Sequence, residues 1–287
     1  MKIKKAGELG LCFGVKRAIK LLKEAVSEYG RIETLGPIAH NRQLVQGLAK
    51  LDIEPVDELE QVRGKILATA THGVSPTVLS EIEAHHIHII DTTCPIVRKA
   101  QNAAKKLAET GFDVIIFGEA EHAEVKGLLG WARGKGIATL DVKQIVTSSL
   151  LAARKRSNLL RLGIVSQTTQ SQSAFVEFIT QLMAALSPKV EELRIINTLC
   201  PTTQRCQEAA IKLAQKAQLM LVVGGHGSAN TKRLVDACSP IVETHLVEGA
   251  SEVDSSWLID KHHIGITAGA STPSEAIEEV VAKLKYL

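Results

Sequence analysis

One pattern occurs three times along this chain, and this repeat constrains the fold more than any other feature. In each repeat a cysteine is followed, 28 residues later, by a polar residue in a loop of small and polar residues. The three pairs are Cys12 with His40, Cys94 with His122, and Cys200 with Ser228. We therefore predict three modules, residues 1–94, 95–198 and 199–287, that pack about a pseudo-threefold axis with the thiols at one central site.

A second polar loop follows the first in every module. These second loops are THGVSP with His72, SQTTQS with Thr168, and TAGASTP with Ser271. Two loops in each of three modules predict a pocket that is rimmed by six loops.

Apolar runs of strand length alternate with stretches of helical periodicity along the whole chain. The predicted strands are 65–70, 86–91, 113–118, 160–167, 219–225 and 264–269, and the predicted helices are 95–109, 172–186, 203–217 and 273–285. This alternation predicts an α/β fold in which each module is a small, mostly parallel sheet flanked by helices. The polar loops then follow the carboxyl ends of strands, where ligands bind in open α/β sheets.

Composition excludes several classes of protein. The chain has 287 residues and is 45% hydrophobic, which is enough for a sizeable core. No apolar run approaches the roughly 18 residues that span a bilayer, and the N-terminus MKIKKAGELG lacks the apolar stretch of a signal peptide, so we expect a cytoplasmic protein without membrane contact. With a net charge of +3, 3% aromatic residues and no basic cluster, the chain is not expected to bind nucleic acid.

The cysteines are better explained as ligands than as disulfides. There are five, they lie far apart, and a chain of this length needs no covalent staples. Cys12, Cys94 and Cys200 each stand where a helix is predicted to start, and the helix dipole there favours thiolate. Three thiolates select zinc, copper(I) or an iron-sulfur cluster, and they leave one metal position open, as catalytic sites do. Cys206 and Cys238 lack this context and are predicted to pack in the core.

The polar loops supply many N–H and O–H donors at helix N-termini, without a fixed lysine or arginine. Such a set suits a phosphate or diphosphate group. Its members are His40, His72, His122, Ser228, Asn230 and Ser271. Zinc binding by the three histidines is the alternative, but none of them stands in HxxxH or HxH spacing with another.

Glu124 is a carboxylate inside a signature loop, two residues after His122. A carboxyl group held beside a buried anionic ligand has a raised pKa, which suits a proton donor, and Thr168 is a candidate partner. The alternative is that Glu124 only caps the helix that is predicted to begin at Ala123.

Taken together, these motifs resemble those of the 4-hydroxy-3-methylbut-2-enyl diphosphate reductase (IspH/LytB) family. The motifs GLCFGVKRA, GPIAHN, THGVSP, DTTCP, EHAEV, SQTT, NTLC, GSANTKRL and TAGAS stand in the order that the family has, and they cover essentially the whole chain. The resemblance implies three α/β modules arranged as a trefoil around a 4Fe-4S cluster. It also implies two-electron reductive dehydroxylation of the allylic diphosphate to isopentenyl and dimethylallyl diphosphate.

The resemblance carries over to individual residues. It implies that Cys12, Cys94 and Cys200 hold the cluster, with one iron left open, and that Glu124 and Thr168 handle the proton. The residues that it implies for binding the diphosphate are His40, His72, His122, Thr168, Ser228, Asn230 and Ser271. No flavin or nicotinamide motif is visible, so a ferredoxin or flavodoxin is expected to deliver the electrons.

The chain departs from the family pattern at three positions. Ala123 replaces a proline that usually precedes the glutamate, which could loosen the placement of Glu124. Ala229 and Ala270 stand where some relatives carry an additional serine, so a hydrogen bond to phosphate could be missing. Two other functions remain as alternatives, a non-catalytic iron-sulfur sensor and a structural zinc protein.

Overall fold

The computed structural model describes residues 1–148 and 160–287, and residues 149–159 of the predicted middle module lie outside this description. The chain forms two compact units. The first unit consists of Met1–Thr71, Ile90–Thr92 and Pro201–Leu287, and the second of His72–Ile89 and Thr93–Cys200. No helix in the described ranges has the length and apolar character needed to cross a membrane.

The described residues form three four-stranded sheets. The first sheet has the order β3-β2-β4-β5, from strands β2 (Ile32–Leu35), β3 (Ile53–Val56), β4 (Ile66–Thr69) and β5 (His88–Ile90). The second has the order β7-β6-β8-β9, from β6 (Asp113–Phe117), β7 (Gly136–Thr139), β8 (Leu160–Ser166) and β9 (Val190–Ile195). The third has the order β11-β10-β12-β1, from β1 (Lys2–Lys5), β10 (Leu219–Val223), β11 (Thr244–Val247) and β12 (His263–Ala268).

Helices connect these strands. In the first unit they are α1 (Phe13–Tyr29), α2 (Arg42–Ala49), α8 (Pro201–Ala214), α9 (Ala229–Cys238) and α10 (Ser274–Tyr286). In the second unit they are α3 (Pro76–Ala84), α4 (Pro95–Glu109), α5 (Ala123–Trp131), α6 (Val142–Val146) and α7 (Gln172–Leu186). All neighbouring strands of the second and third sheets are parallel, and β2 pairs in parallel with both β3 and β4. The predicted α/β class with small parallel sheets is confirmed.

The strand order repeats three times, as the cysteine spacing predicted. In every sheet the first strand of the repeat lies between the second and the third, and a fourth strand lies beside the third. The fourth strand of the third sheet is β1, so the N-terminus completes the sheet that the C-terminal part of the chain begins. In each repeat the fourth strand is the one that leads to a cysteine. The boundaries of the predicted modules at residues 94 and 198 stay a prediction. Strand β1 lies in the predicted module 1–94, but it pairs with β12 of the predicted module 199–287.

Alternating side chains of the central strands enter two separate cores, because successive residues of a strand point to opposite faces of the sheet. In the second sheet, Ile115 of β6 packs with the aromatic rings of α7, whereas Val114 packs with α4 and α5. In the third sheet, Met220 of β10 packs in a core that contains Cys206 and Cys238, which are 3% and 0% exposed. The prediction that these two thiols are packing residues is confirmed.

Predicted and observed elements agree closely where the sequence pattern is long. The helices predicted at 95–109 and 172–186 have the same bounds as α4 and α7, and β6, β8, β10 and β12 lie within one residue of the predicted starts. Several strands that no prediction named are short, among them β2, β3, β7 and β11 with four residues each. In a strand of four residues, the alternation of apolar and polar residues is too short to stand out from the neighbouring sequence.

Candidate functional site

The structure places the predicted site residues in both units. The first unit contains Cys12, His40, Ser228, Asn230 and Ser271, and the second contains His72, Cys94, His122, Glu124, Thr168 and Cys200. Within each unit, the polar loops follow strands of a parallel sheet, as predicted. The loops after β2, β10 and β12 carry His40, Ser228 and Ser271, and the loops after β6 and β8 carry His122 and Thr168.

The three helix-opening cysteines share one local structure. Cys12 and Cys94 are the N-cap residues of α1 and α4, and Cys200 directly precedes Pro201 at the start of α8. None of the three is joined in a disulfide, and all three are partly exposed, in contrast to the buried Cys206 and Cys238. Partly exposed thiols at helix starts suit metal ligation, whereas buried thiols in an apolar core do not.

Backbone hydrogen bonds join two of these cysteines to the polar loops within their own units. In the first unit the N–H of Cys12 donates to the carbonyl of Ala270, over 2.9 Å, next to Ser271. In the second unit the N–H of Cys200 donates to the carbonyl of Thr168, also over 2.9 Å. A thiol and a predicted substrate-binding hydroxyl are therefore neighbours in each unit.

Across the described ranges, no three His, Cys, Asp or Glu side chains are grouped so that they could hold a metal ion. Cys12 belongs to the first unit, whereas Cys94 and Cys200 belong to the second. The chemistry of the three thiols fits an iron-sulfur cluster, because soft thiolate sulfur is the ligand such clusters require. Their assignment as its ligands stays a prediction.

Glu124 and Thr168 of the second unit are joined by two hydrogen bonds. The backbone N–H of Thr168 donates to Oε1 of Glu124 over 2.6 Å, and the Thr168 hydroxyl donates to Oε2 over 2.8 Å. Glu124 is 3% exposed and Thr168 is 5% exposed. The prediction that Thr168 is the partner of this carboxyl group is thus matched by direct contact.

Burial raises the pKa of Glu124 from 4.5 to about 7. Loss of hydration penalises the carboxylate, and this effect outweighs the two hydrogen bonds from Thr168, which lower the pKa. A carboxyl group with a pKa near 7 is protonated in a large fraction of molecules at neutral pH and can donate that proton.

His122, and not Glu124, caps helix α5. The backbone N–H of Glu124 donates to Nδ1 of His122 over 3.1 Å, and the Glu124 carboxylate points to Thr168 instead of the helix end. Because Nδ1 accepts, a neutral His122 carries its proton on Nε2, where it can be donated to an anion. The helix begins at Ala123 without a proline, and Glu124 is held by both of its oxygens.

The other two histidines differ in their surroundings. His72 lies next to the carbonyl of Gly73, 3.0 Å from its Nδ1, so Nδ1 must be the donor there. Burial, reinforced by the positive charge of Lys232, lowers the pKa of His40. His40 is therefore held as a neutral imidazole, which can still donate one hydrogen bond.

Tight packing in the first unit brings the His40 loop against the loop of Ser228. A Cβ atom on Gly225 would collide with the backbone carbonyl of His40, so only glycine allows this approach. Ser228 accepts the N–H of Thr231 as the N-cap of α9, over 3.3 Å. The loops that carry two predicted diphosphate ligands are therefore in direct contact.

Asn230 is the strongest structural sign of a polar ligand site. It is 6% exposed, and neither Nδ2 nor Oδ1 of its amide has a hydrogen-bond partner among the described residues. Leaving a buried polar group unpaired costs about 1–3 kcal/mol. An amide that is kept buried with both ends unpaired fits a polar ligand that binds there.

Gln167 also has a buried amide atom without a hydrogen-bond partner among the described residues, and the sequence predictions missed this residue. It is 0% exposed, and its Oε1 accepts the N–H of Glu119 and the amide of Gln170, each over 3.1 Å. Its Nε2 has no partner among the described residues. The position of Gln167 beside Thr168 in the SQTT motif was the available signal.

The family model described as LytB protein matches residues 3–285. A 4-hydroxy-3-methylbut-2-enyl diphosphate reductase of Dehalococcoides mccartyi strain CBDB1 is 42% identical over 287 residues, which is all of this chain and 99% of the relative. The enzyme of the same name from Geobacter sulfurreducens is 37% identical, over 99% of this chain and 97% of the relative.

Two solved structures are similar to the whole chain. The E-1-hydroxy-2-methyl-but-2-enyl-4-diphosphate reductase of Plasmodium falciparum matches with a TM-score of 0.90 and 26% identity, over 99% of this chain and 88% of that one. The (E)-4-hydroxy-3-methyl-but-2-enyl diphosphate reductase described as the terminal enzyme of the non-mevalonate pathway matches with a TM-score of 0.69 and 34% identity. That match covers 100% of both chains.

Proposed function

The chain belongs to the LytB protein family, and from this premise we propose how its residues carry out the reaction of a 4-hydroxy-3-methylbut-2-enyl diphosphate reductase. The substrate loses its allylic hydroxyl as water, and two electrons and two protons are consumed. One proton leaves in the water and the other is added to carbon. Protonation at either of two carbons yields isopentenyl or dimethylallyl diphosphate.

The observation that carries this proposal is the buried pair of Glu124 and Thr168. The reaction needs a proton source that is protected from water and partly protonated at neutral pH. Glu124 meets both needs, because burial raises its pKa to about 7 and both of its oxygens contact Thr168. Glu124 is the proton donor, and Thr168 passes the proton on towards the substrate through its hydroxyl.

The diphosphate is bound by neutral donors. His122 presents its Nε2 proton, since its Nδ1 accepts the N–H of Glu124. Asn230 and Gln167 each offer a buried amide N–H₂ that lacks a partner among the described residues, which supports their role as phosphate ligands. The remaining ligands are His40, His72, Thr168, Ser228 and Ser271, all in loops at helix or strand ends.

An iron-sulfur cofactor is expected from the family, and Cys12, Cys94 and Cys200 would hold it as a 4Fe-4S cluster. When bound, the cluster supplies the electrons and an iron without a protein ligand that can act as a Lewis acid. A ferredoxin or flavodoxin delivers the electrons. The protein works in the cytoplasm, where its five cysteines remain reduced thiols outside disulfides.

Two variants of one loop test the proton donor. Glu124→Gln keeps the shape of the side chain but has no carboxylic proton, so it should keep cluster and substrate affinity and turn over about 100-fold more slowly or worse. Glu121→Gln is the matched control, because Glu121 is three residues away, 91% exposed and paired with Lys126 on the surface. Turnover of hydroxymethylbutenyl diphosphate is measured with a chemical reductant, without oxygen.

The control should be as active as the native enzyme. Near-native turnover by Glu124→Gln would show that the proton comes from another group. A loss that lies entirely in substrate affinity would make Glu124 a binding residue. Absence of turnover by the native protein itself would contradict the proposed function.

A further inference from the structure

The loop that carries His72 is fixed to two helices through one backbone carbonyl. This His72 loop, residues 72–75, turns at Gly73 with a φ of +67° and ends at Ser75, the N-cap of α3. The carbonyl oxygen of Val74 accepts two side-chain hydrogen bonds. Nε1 of Trp131 donates over 3.0 Å, and Nε2 of Gln101 donates over 3.4 Å.

Each donor belongs to a helix that begins at a residue of the proposed site. Gln101 lies on α4, which is capped by Cys94, and Trp131 is the last residue of α5, which is capped by His122 and contains Glu124. All of these residues belong to the second unit. The position of His72 is thereby set relative to a proposed cluster ligand and to the proposed proton donor.

The amide of Gln101 is itself held in the required orientation. Arg98 donates from Nη1 to Oε1 of Gln101 over 2.8 Å, which leaves Nε2 directed at the His72 loop. Gln101 is 0% exposed, so its amide cannot exchange partners with solvent. Nη2 of Arg98 also donates to the hydroxyl of Thr93, over 3.3 Å, directly before Cys94.

Close packing leaves the His72 loop little freedom to move. A Cβ on Gly73 would lie 2.5 Å from Nε2 of Gln101, and a Cβ on Gly130 of α5 would collide with the side chain of Ser75. Loop and helix surfaces therefore fit only because both positions are glycine. The hydrogen bonds from Trp131 and Gln101 select one loop position on this surface.

We propose that Trp131 and Gln101 are positioning residues for substrate binding, which hold His72 where it meets the diphosphate. This inference rests on the proposed function, in which His72 is a diphosphate ligand. Neither residue touches the substrate. Their contribution is to hold the loop in its binding position before the substrate arrives, so that substrate binding does not have to order it.

Trp131→Phe is the test, because it keeps an aromatic ring and removes the Nε1 donor. Loss of one hydrogen bond predicts a KM about two- to tenfold higher, with kcat changed by less than about twofold. Gln101→Met should act in the same direction by a smaller factor, since its bond is longer. Trp257→Phe is the matched control, because Trp257 stacks on His245 in the third module and should leave KM unchanged.

A double-variant cycle separates positioning from a general structural role. In a His72→Asn background the Trp131→Phe change should raise KM by much less than in the native background, because the residue to be positioned is already altered. Amide hydrogen exchange in residues 72–75 of the substrate-free holoenzyme should be faster in Trp131→Phe and unchanged in Trp257→Phe.

Unchanged KM in both Trp131→Phe and Gln101→Met would overturn the proposal, and so would an equal effect of Trp131→Phe in both backgrounds. If Trp131→Phe does not fold, Gln101→Met decides by the same two measurements. Hydrogen exchange needs no substrate, so it still tests the attachment of the loop if the native protein fails to turn over the diphosphate. That failure would contradict the proposed function instead.

Discussion

The pKa of Glu124 makes a quantitative prediction about stability. Its carboxyl group has a pKa of about 7 in the folded protein, raised from 4.5 by burial. The folded state therefore binds this proton more tightly than the unfolded chain does. The resulting stabilisation is fully present below pH 4.5 and is lost as the pH rises through about 7.

The magnitude follows from the size of the shift. Between pH 5 and pH 8 the free energy of unfolding of the native protein should fall by about 2–3 kcal/mol through this group. Glu124→Gln has no such titration. The difference in free energy of unfolding between the native protein and Glu124→Gln should therefore change by that amount, while the contributions of all other groups cancel.

Urea unfolding at pH 5, 6, 7 and 8 measures this difference. Thr168→Val serves as a second variant, because it removes a hydrogen bond that lowers the pKa of Glu124. In Thr168→Val, the pH range over which the stabilisation by protonated Glu124 is lost should then move to higher pH. Infrared spectroscopy follows the protonated carboxyl band directly, and that band should be missing in Glu124→Gln. A difference in unfolding free energy that stays constant from pH 5 to pH 8 would refute the argument that burial controls this group.

Three further predictions concern the other parts of the site. Single changes of Cys12, Cys94 or Cys200 to Ser should remove iron, sulfide and activity together in anaerobically purified protein. The controls Cys206→Ala and Cys238→Ala should retain all three. Zinc without sulfide in the native protein would contradict the cluster. Replacing His40, His72 or His122 by Asn should weaken substrate binding by about 1–3 kcal/mol, measured by calorimetry, and loss of iron in these variants would indicate metal ligation instead. Asn230→Leu should raise the free energy of unfolding by about 1–3 kcal/mol, because it removes a buried amide that has no partner among the described residues. The same change should weaken substrate binding. A lower free energy of unfolding would show that the amide is hydrogen-bonded within the protein.

The sequence was sufficient to predict the threefold repeat and to select the candidate residues of the site. Equal spacing between Cys12 and His40, Cys94 and His122, and Cys200 and Ser228 predicted three equivalent sheets, and the strand order repeats three times. The bounds of α4 and α7 were predicted because a 3.6-residue period becomes unambiguous over four turns, whereas α8 (Pro201–Ala214) begins and ends two to three residues before the predicted range 203–217. Glu124 was identified because it lies two residues after His122 in a signature loop, where a proton donor could lie beside a bound phosphate.

Tertiary structure alone decided which contacts the polar residues of the site make and which of them are buried. Glu124 contacts Thr168, which is 44 positions away in the sequence, instead of capping a helix. A local sequence pattern cannot predict a contact over such a separation. Burial of Gln167 and Asn230, with amide atoms left unpaired, is likewise a property of the packed chain. The pairing of β1 with β12 joins the two ends of the chain, because an exposed edge of the third sheet offers hydrogen-bonding groups to any strand that can reach it.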